Sequence, residues 1–344
     1  CMLFGQLSSR ESLRDLITVI EAHQSKSYHL GFGKNVTRSN LSKANENRNY
    51  KIFEDFANHL ILIAQEKNCN NSFEIKGNIY AFDSSTIDLC LSVFWWAHFR
   101  KTKAGIKLHT LFDINTQIPV FIHITEANVH DVNAMDIINY EPFAYYIFDR
   151  AYVDYLRLYQ ITKSTAYFVV RAKSNLKFKR MYSKKTDKST GVIYDQTGKI
   201  DGFYSSKDYP EKIRKVKFFD AENNKILIFL TNNFDLSAGQ IALLYKQRWQ
   251  IELFFKWIKQ HLKVKTFWGT TENAVRIQIN IAIITYCLVS IIAKDLKINR
   301  SIYEILQILS ASLLDKTPVN ELLMKSDYNN INELDSNQLV FNLF

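Results

Sequence analysis

Two aspartates and one glutamate are the residues of this 344-residue chain that could do chemistry together. Asp83 closes the apolar run IYAFD and Asp149 closes the run YYIFD, so each predicted strand carries a carboxylate at its carboxyl end. Glu252 lies farther along, in the helical run YKQRWQIELFFKWIK. Carboxylates that would repel one another as bare anions are a natural site for divalent cations, oxygen-ligated Mg²⁺ above all. A single aspartate after a strand is more commonly a turn residue or a helix cap, and that interpretation stays open.

The run around Glu252 predicts a helix with a charged stripe. Four residues at offsets of 0, 3, 7 and 14 form the stripe: Tyr245, Arg248, Glu252 and Lys259. At about 100° per residue they fall within roughly 60° of one another. A different face carries the apolar residues that would seat the helix on a core: Leu244, Ile251, Phe255, Ile258 and Leu262. A solvated helix face with weak Arg–Glu pairs would have the same pattern. A tyrosine within the charged stripe, on a helix that its apolar face anchors firmly, favours a functional surface.

The strands and helices that must position these residues begin after residue 73. Short apolar runs separated by polar turns predict three strands, a helix and a fourth strand, and then a helix and another strand. Strands that first run consecutively and then alternate with helices indicate an α/β fold, a mixed sheet covered by helices. A β-rich insertion follows at about 173–233, and a long helix at about 238–262.

The insertion is basic as well as β-rich. Its charged residues include Lys173, Lys177, Lys179, Arg180, Lys184, Lys185, Lys212, Arg214, Lys215 and Lys217. Such residues could track a DNA backbone by releasing its counter-ions. Ordinary solubilising surface is the alternative for about half of them.

The apolar run at 277–293 is just long enough to cross a membrane. Gln278, Asn280 and Ser290 interrupt the run, which favours a buried core helix. We therefore expect no membrane partner.

Composition and charge narrow the class of protein further. Hydrophobic residues make up 47% of the chain and charged residues 23%, which excludes collagen-like, low-complexity and globally disordered chains. The net charge of +10 favours an anionic partner such as nucleic acid. The 4 cysteines form no CxxC pair, which argues against a zinc ribbon or a disulfide framework and fits a reducing cytosol.

Residues 1–70 predict a small helical N-terminal domain. Ser8 and Glu11 have the spacing of a capping box, which predicts a helix start there. A glycine-containing turn at 31–34 precedes a polar, basic helix, and this pair would suit a helix-turn-helix-like reader of DNA; a plain helical bundle stays open. The chain begins with Cys1 and its first residues read as mid-helix, so we expect some N-terminal sequence to be missing.

Taken together, these motifs resemble a known family. The segments that carry the resemblance are YAFDSSTIDL around Asp83, FDRAYVDY around Asp149, and the Y-x2-R-x3-E-x6-K run from Tyr245 to Lys259. They closely resemble the bacterial insertion-sequence DDE transposases with a YREK motif. The resemblance covers nearly the whole chain. It implies a ribonuclease-H-like catalytic domain at 73–344, with a β-strand insertion before the glutamate helix, and an N-terminal DNA-binding domain at 1–70.

The resemblance also implies a metal site. Asp83, Asp149 and Glu252 would be the catalytic residues and would hold two Mg²⁺ ions, with Mn²⁺ as a substitute. Two metals can stabilise both the attacking and the leaving oxygen of a phosphodiester, and three carboxylates supply the counter-charge.

The other residues of the motif would contact DNA. By the same resemblance, Tyr245, Arg248 and Lys259 would contact phosphates of the transposon end, Arg248 as a bidentate fork and Lys259 as a point charge. Trp249 projects beside the stripe and could stack on a flipped base; a core-edge aromatic is the alternative.

The leading hypothesis is a transposase that binds the terminal inverted repeats of its own insertion sequence, nicks to expose a 3′-OH and joins that end to target DNA. We expect a homodimer on two double-stranded DNA ends, in the bacterial cytoplasm at the nucleoid. Two alternatives stay open. A ribonuclease-H-like, structure-specific nuclease would use the acidic triad without needing the YREK spacing, and a truncated, catalytically silent protein would only bind DNA ends.

Overall fold

A ten-stranded mixed sheet forms the centre of the computed structural model, which describes residues 1–26, 28–32, 36–69, 75–100, 103–261 and 267–324. The strands are β1 (Ile79–Leu89), β2 (His98–Arg100), β3 (Lys103–Asp113), β4 (Ile118–Glu126), β5 (Tyr145–Phe148), β6 (Tyr167–Arg171), β7 (Phe178–Lys184), β8 (Val192–Ile200), β9 (Ile213–Asp220) and β10 (Lys225–Thr231). Their order is β2-β3-β1-β5-β6-β10-β9-β8-β7, and β4 pairs with β3. The β1–β5 and β5–β6 pairs are parallel, and the others are antiparallel. The predicted α/β fold with a mixed sheet flanked by helices is confirmed.

Helices cover both faces of this sheet. Within the described ranges they are α1 (Met2–Leu7), α2 (Leu13–Ala22), α3 (Arg38–Asn47), α4 (Lys51–Asn68), α5 (Tyr155–Lys163), α6 (Ser205–Asp208), α7 (Ala238–Lys246), α8 (Trp249–His261), α9 (Glu272–Asp295), α10 (Ile302–Ser312) and α11 (Val319–Leu323). Alternate residues of β1 enter two separate cores. Ala81 belongs to the core that includes residues of α1, α4, α8 and α9, whereas Phe82 belongs to the core on the other face, which includes residues of α5. The alternation fixes which side chains of β1 face α8.

The single helix predicted over 238–262 is wrong, because the structure has two helices there. The backbone between α7 and α8 tightens to i→i+3 hydrogen bonds, from the Arg248 N–H to the Tyr245 carbonyl (3.1 Å) and from the Gln250 N–H to the Gln247 carbonyl (3.0 Å). Such a 3₁₀-like turn changes the direction in which the residues after it point around the helix axis. Leu262 of the predicted apolar face lies outside the described residues.

The predicted capping box of Ser8 and Glu11 is also wrong. Ser9 adopts a left-handed φ of 54°, and the Ser8 hydroxyl donates to the Phe4 carbonyl at 2.7 Å, so this segment ends α1. The next helix starts at Leu13, where Ser12 accepts a hydrogen bond from the Asp15 N–H at 3.1 Å. The cap therefore lies one helical turn later than predicted.

The apolar run at 277–293 lies in α9, which is the helix of the described ranges that is long and apolar enough to cross a membrane. Of its most apolar window, 78% is buried inside the protein. It packs against α1, α3, α4 and α10. The Gln278 side chain accepts a hydrogen bond from the Trp268 N–H at 2.8 Å. The predicted buried core helix is confirmed.

The β-rich segment at 173–233 continues the central sheet, because β10 pairs with β6. A buried ion pair connects this extension to the loop that leads into α7. Arg214 is 1% exposed and contacts both carboxylate oxygens of Asp195 at 2.8 and 2.7 Å. It also donates to the carbonyls of Asn233 and Leu236, at 3.2 and 2.6 Å, in the loop that leads into α7. Arg214 is therefore part of the core, which corrects its interpretation as a DNA-tracking charge.

Candidate active site

Two neighbouring parallel strands bring Asp83 and Asp149 side by side, at the point where β5 ends. Asp83 itself does not end its strand, which corrects the prediction, because β1 continues to Leu89 in its pairing with β3. Phe82 of β1 is in register with Phe148 of β5, and each aspartate is the next residue along its chain. Asp149 ends its strand and begins a short 3₁₀ turn at Arg150–Tyr152. The apolar runs before the two aspartates are buried in the two cores, so the carboxylates are anchored on rigid strands.

The turn between α7 and α8 brings the third carboxylate to the same place. Arg248 donates to Asp83 Oδ2 at 3.3 Å and to Glu252 Oε1 at 2.6 Å. The Tyr245 hydroxyl donates to Asp149 Oδ1 at 3.3 Å, and the Arg248 guanidinium lies 5.7 Å from the Tyr245 ring centre. Five of the predicted site residues therefore meet in one cluster, in which a single guanidinium lies between two carboxylates.

The electrostatics of the cluster centre on Asp83. The pKa of Asp83 is raised from 3.8 to about 6, chiefly by burial and to a smaller extent by the neighbouring Asp149 and Glu252. The Ser84 N–H, which donates to Asp83 Oδ1 at 2.8 Å, and Arg248 both lower this pKa, but they do not overcome the burial. One arginine thus leaves negative charge uncompensated in a partly desolvated place, and a cation would stabilise it.

The donor set fits a divalent metal. Three carboxylates, one within β1, one directly after β5 and one in α8, are hard oxygen ligands, of the kind that Mg²⁺ takes. In the described ranges, no group of three or more His, Cys, Asp or Glu side chains is already arranged around a metal position. Glu252 is turned toward Arg248, and its side chain is 56% exposed, so it has room to rotate.

The remaining two predicted site residues lie beside the cluster. Lys259 donates from Nζ to the Thr86 carbonyl at 2.6 Å, which ties the far part of α8 to β1 beyond Asp83. Trp249 is 49% exposed and lines a cavity of about 910 Å³ together with Tyr245 and Arg248. The opposite wall of that cavity comes from the insertion strands and includes Phe218 and Leu227. The indole therefore faces a roomy, partly apolar space next to the carboxylates.

Tyr152 is a residue of the site that the sequence interpretation missed. Its hydroxyl donates to Ser84 Oγ at 3.1 Å, directly behind Asp83. The signal in the sequence was its position three residues after Asp149, in FDRAY.

Comparison with known proteins decides the family. Residues 74–288, more than half of the chain, match the family model of a transposase DDE domain. The chain belongs to the DDE transposases. Residues 1–33 match a second family model, which is described only as a domain of unknown function.

Named relatives place this DDE transposase among those of bacterial insertion sequences, as predicted. A protein of Sinorhizobium fredii named as a transposase is 34% identical over 284 residues, which are 81% of this chain and 78% of the relative. A Geobacillus stearothermophilus transposase, named for insertion sequence element IS5377, is 30% identical over 238 residues, 67% of this chain and 60% of the relative. A Synechocystis transposase, named for the element IS4SA, is 24% identical over 290 residues, 83% of this chain and 80% of the relative.

One solved structure also resembles this DDE transposase, the piggyBac transposase synaptic complex with hairpin DNA. Its TM-score is 0.41 at 12% identity, and the match covers 74% of this chain and 59% of that one. This likeness adds nothing to the family assignment. The family itself consists of DNA-cutting enzymes that generally use divalent metal ions.

Proposed function

We propose that this DDE transposase binds the terminal inverted repeats of its own insertion sequence and catalyses Mg²⁺-dependent DNA strand cleavage and strand transfer. The observation that carries the proposal is the meeting of Asp83, Asp149 and Glu252 around Arg248 and Tyr245. Three carboxylates and a phosphate-binding fork in one cluster are the parts that metal-assisted phosphoryl transfer needs.

Asp83, Asp149 and Glu252 would hold the Mg²⁺ ions, with Mn²⁺ as a substitute. When bound, the ions would activate the attacking water or 3′-hydroxyl and stabilise the leaving oxygen. Asp83 gives the strongest electrostatic support, because its raised pKa reports charge that the protein alone leaves under-compensated.

Arg248 would exchange partners when DNA binds. Its guanidinium contacts Asp83 and Glu252, and a phosphate of the transposon end is a better bidentate acceptor for the same fork. Moving to the phosphate would release both carboxylates for the metal. Tyr245 and Lys259 would contact neighbouring phosphates through a hydroxyl and an ammonium. Trp249, exposed beside them, would stack on a base.

The wider DNA surface would come from the insertion strands. Lys215 lies over the Phe178 ring at 4.2 Å and Lys217 over the Tyr194 ring at 5.7 Å, so both ammonium groups stand on the sheet face between β7 and β9. Lysines held over aromatic rings keep their charge available to a DNA backbone. We further propose a homodimer that holds two double-stranded ends and then the target DNA, in the bacterial cytoplasm at the nucleoid.

The test is cleavage of a labelled duplex that carries the DNA ends flanking the gene, with and without Mg²⁺. We expect metal-dependent nicking at the element boundary, and its loss in Asp83→Asn. Asp88→Asn is the matched control, because Asp88 is exposed on the same strand and outside the cluster. Binding of ends without cleavage would support the DNA-end-binding alternative. Cleavage of branched DNA without preference for the ends would support the nuclease alternative.

A further inference from the structure

Tyr152 packs against both neighbouring strands, β1 and β5, beside the two aspartates of the site. It is 1% exposed. Its ring meets the Phe82 ring edge-on at 5.4 Å and lies 6.0 Å from the Phe148 ring. These two phenylalanines directly precede Asp83 and Asp149. One side chain therefore packs against both strands at the residue before each carboxylate.

The Tyr152 hydroxyl contacts the side chain of Ser84, the residue whose backbone N–H orients Asp83. It donates to Ser84 Oγ at 3.1 Å, and the Ser84 N–H donates to Asp83 Oδ1 at 2.8 Å. Ser84 and Asp83 point to opposite faces of β1, because side chains alternate along a strand. Burial, Asp83 and nearby carboxylates raise the pKa of Tyr152 well above its ordinary value, so the phenol keeps the proton that it donates. The hydroxyl thus supports the carboxylate from behind, on the face away from α8.

We propose that Tyr152 is a positioning residue that fixes the spacing of Asp83 and Asp149 and thereby sets the metal affinity of the site. The inference rests on the proposed function. Tyr152 itself would contact neither the metal nor DNA, because it is buried among aromatic rings behind β1. Residues that orient metal ligands from behind commonly change metal affinity by about 10 to 100-fold when they are altered.

The experiment compares Tyr152→Phe with Tyr146→Phe. Tyr146 is an equally buried tyrosine of β5, and its hydroxyl accepts from the Glu141 N–H at 2.9 Å, away from the carboxylates. Free Mn²⁺ is measured by electron paramagnetic resonance with the chain bound to its end duplex, the duplex alone serving as the blank. We expect Tyr152→Phe to weaken Mn²⁺ binding about tenfold, and Tyr146→Phe to leave it unchanged at a similar cost in melting temperature.

Ser84→Ala removes the same hydrogen bond from its other side. It should weaken Mn²⁺ binding as Tyr152→Phe does, and the double variant should be no weaker than either single one, because both remove one interaction. Wild-type Mn²⁺ affinity in Tyr152→Phe would overturn this inference while leaving the proposed function intact. A wild-type chain that binds no Mn²⁺ and cleaves no DNA would overturn the proposed function and the inference with it.

Discussion

Two arginines of this transposase hold carboxylates in opposite ways. Arg214 is 1% exposed and donates hydrogen bonds to both carboxylate oxygens of Asp195. Its remaining terminal nitrogen donates to two backbone carbonyls. The Arg248 side chain is 17% exposed and contacts Asp83 and Glu252, two of the three carboxylates in its cluster, so the negative charge there exceeds its own. Its Nε is buried and has no hydrogen-bond partner in the described part of the chain.

This difference between the two arginines distinguishes a structural ion pair, at Arg214, from a functional cluster, at Arg248. A buried charge whose donors and acceptors are all matched contributes to a unique fold and has nothing left to offer a ligand. A cluster with excess negative charge can bind a cation, and its unpaired hydrogen-bond donor can bind a phosphate. Perturbed pKa values mark such places, as the raised pKa of Asp83 does here.

The largest expected effect is the loss of stability when the buried ion pair of Arg214 and Asp195 is broken. Arg214→Met leaves the Asp195 carboxylate buried without its partner, which should lower the free energy of unfolding by about 3 to 5 kcal/mol. Urea denaturation followed by circular dichroism measures it. The double variant with Asp195→Leu should recover part of that loss, because no buried charge remains. A single variant as stable as wild type would show that the pair does not hold the insertion strands.

Arg248→Gln should behave in the opposite way. We expect a change of less than about 1 kcal/mol in unfolding free energy, because Asp83 can take up a proton and Glu252 is exposed. Binding of the end duplex should fall about tenfold, and the salt dependence of binding should decrease by about one phosphate contact. Fluorescence anisotropy at several salt concentrations measures both. A loss of stability like that of Arg214→Met would make Arg248 a structural residue as well.

Trp249→Ala should have a smaller effect, and only on DNA. The indole is 49% exposed, so its removal should leave stability within about 0.5 kcal/mol of wild type. Loss of one stacked base should weaken end binding about fivefold, near the lower end of measured stacking energies. Leu243→Ala, which removes another exposed side chain from the same cavity wall, is the control. Equal binding by the tryptophan variant and wild type would contradict the stacking role.

The last expected effect is a pH dependence of stability without metal. The pKa of Asp83 is raised from 3.8 to about 6 in the folded chain, so between these values the folded state holds a proton that the unfolded state has lost. The resulting stabilisation is complete below about pH 3.8 and is lost as pH rises through 6. Asp83→Asn should therefore gain stability relative to wild type between pH 4 and pH 7.5, measured by urea unfolding in EDTA. A difference that does not change with pH would contradict the raised pKa.

Local sequence patterns predicted the positions of the aspartates well. The runs before Asp83 and Asp149 are buried strand segments, as predicted, but only β5 ends at its aspartate. The predicted strand end at Asp83 is wrong: β1 continues to Leu89, because the more polar residues after Asp83 still pair with β3. The YREK spacing predicted that Arg248 and Glu252 would be neighbours, since residues four apart face each other even across a tight turn.

Features that depend on distant partners could not be predicted. The break between α7 and α8 contains neither glycine nor proline, so no local signal marks it. Arg214 and Asp195 are 19 residues apart on neighbouring strands, and only the strand register shows that they pair. The contact of Tyr152 with Ser84 joins residues 68 positions apart.

Iron-mediated cleavage of the protein itself would test the carboxylate cluster most directly. Fe²⁺ with ascorbate and peroxide replaces Mg²⁺ and cuts the backbone close to the bound ion, and mass spectrometry locates the cuts. We predict cuts beside Asp83, Asp149 and Glu252 that Mg²⁺ suppresses, that persist in Asp88→Asn and that disappear in Asp83→Asn. Cuts confined to other parts of the chain, or cuts that Asp83→Asn leaves unchanged, would contradict a metal site at these three carboxylates.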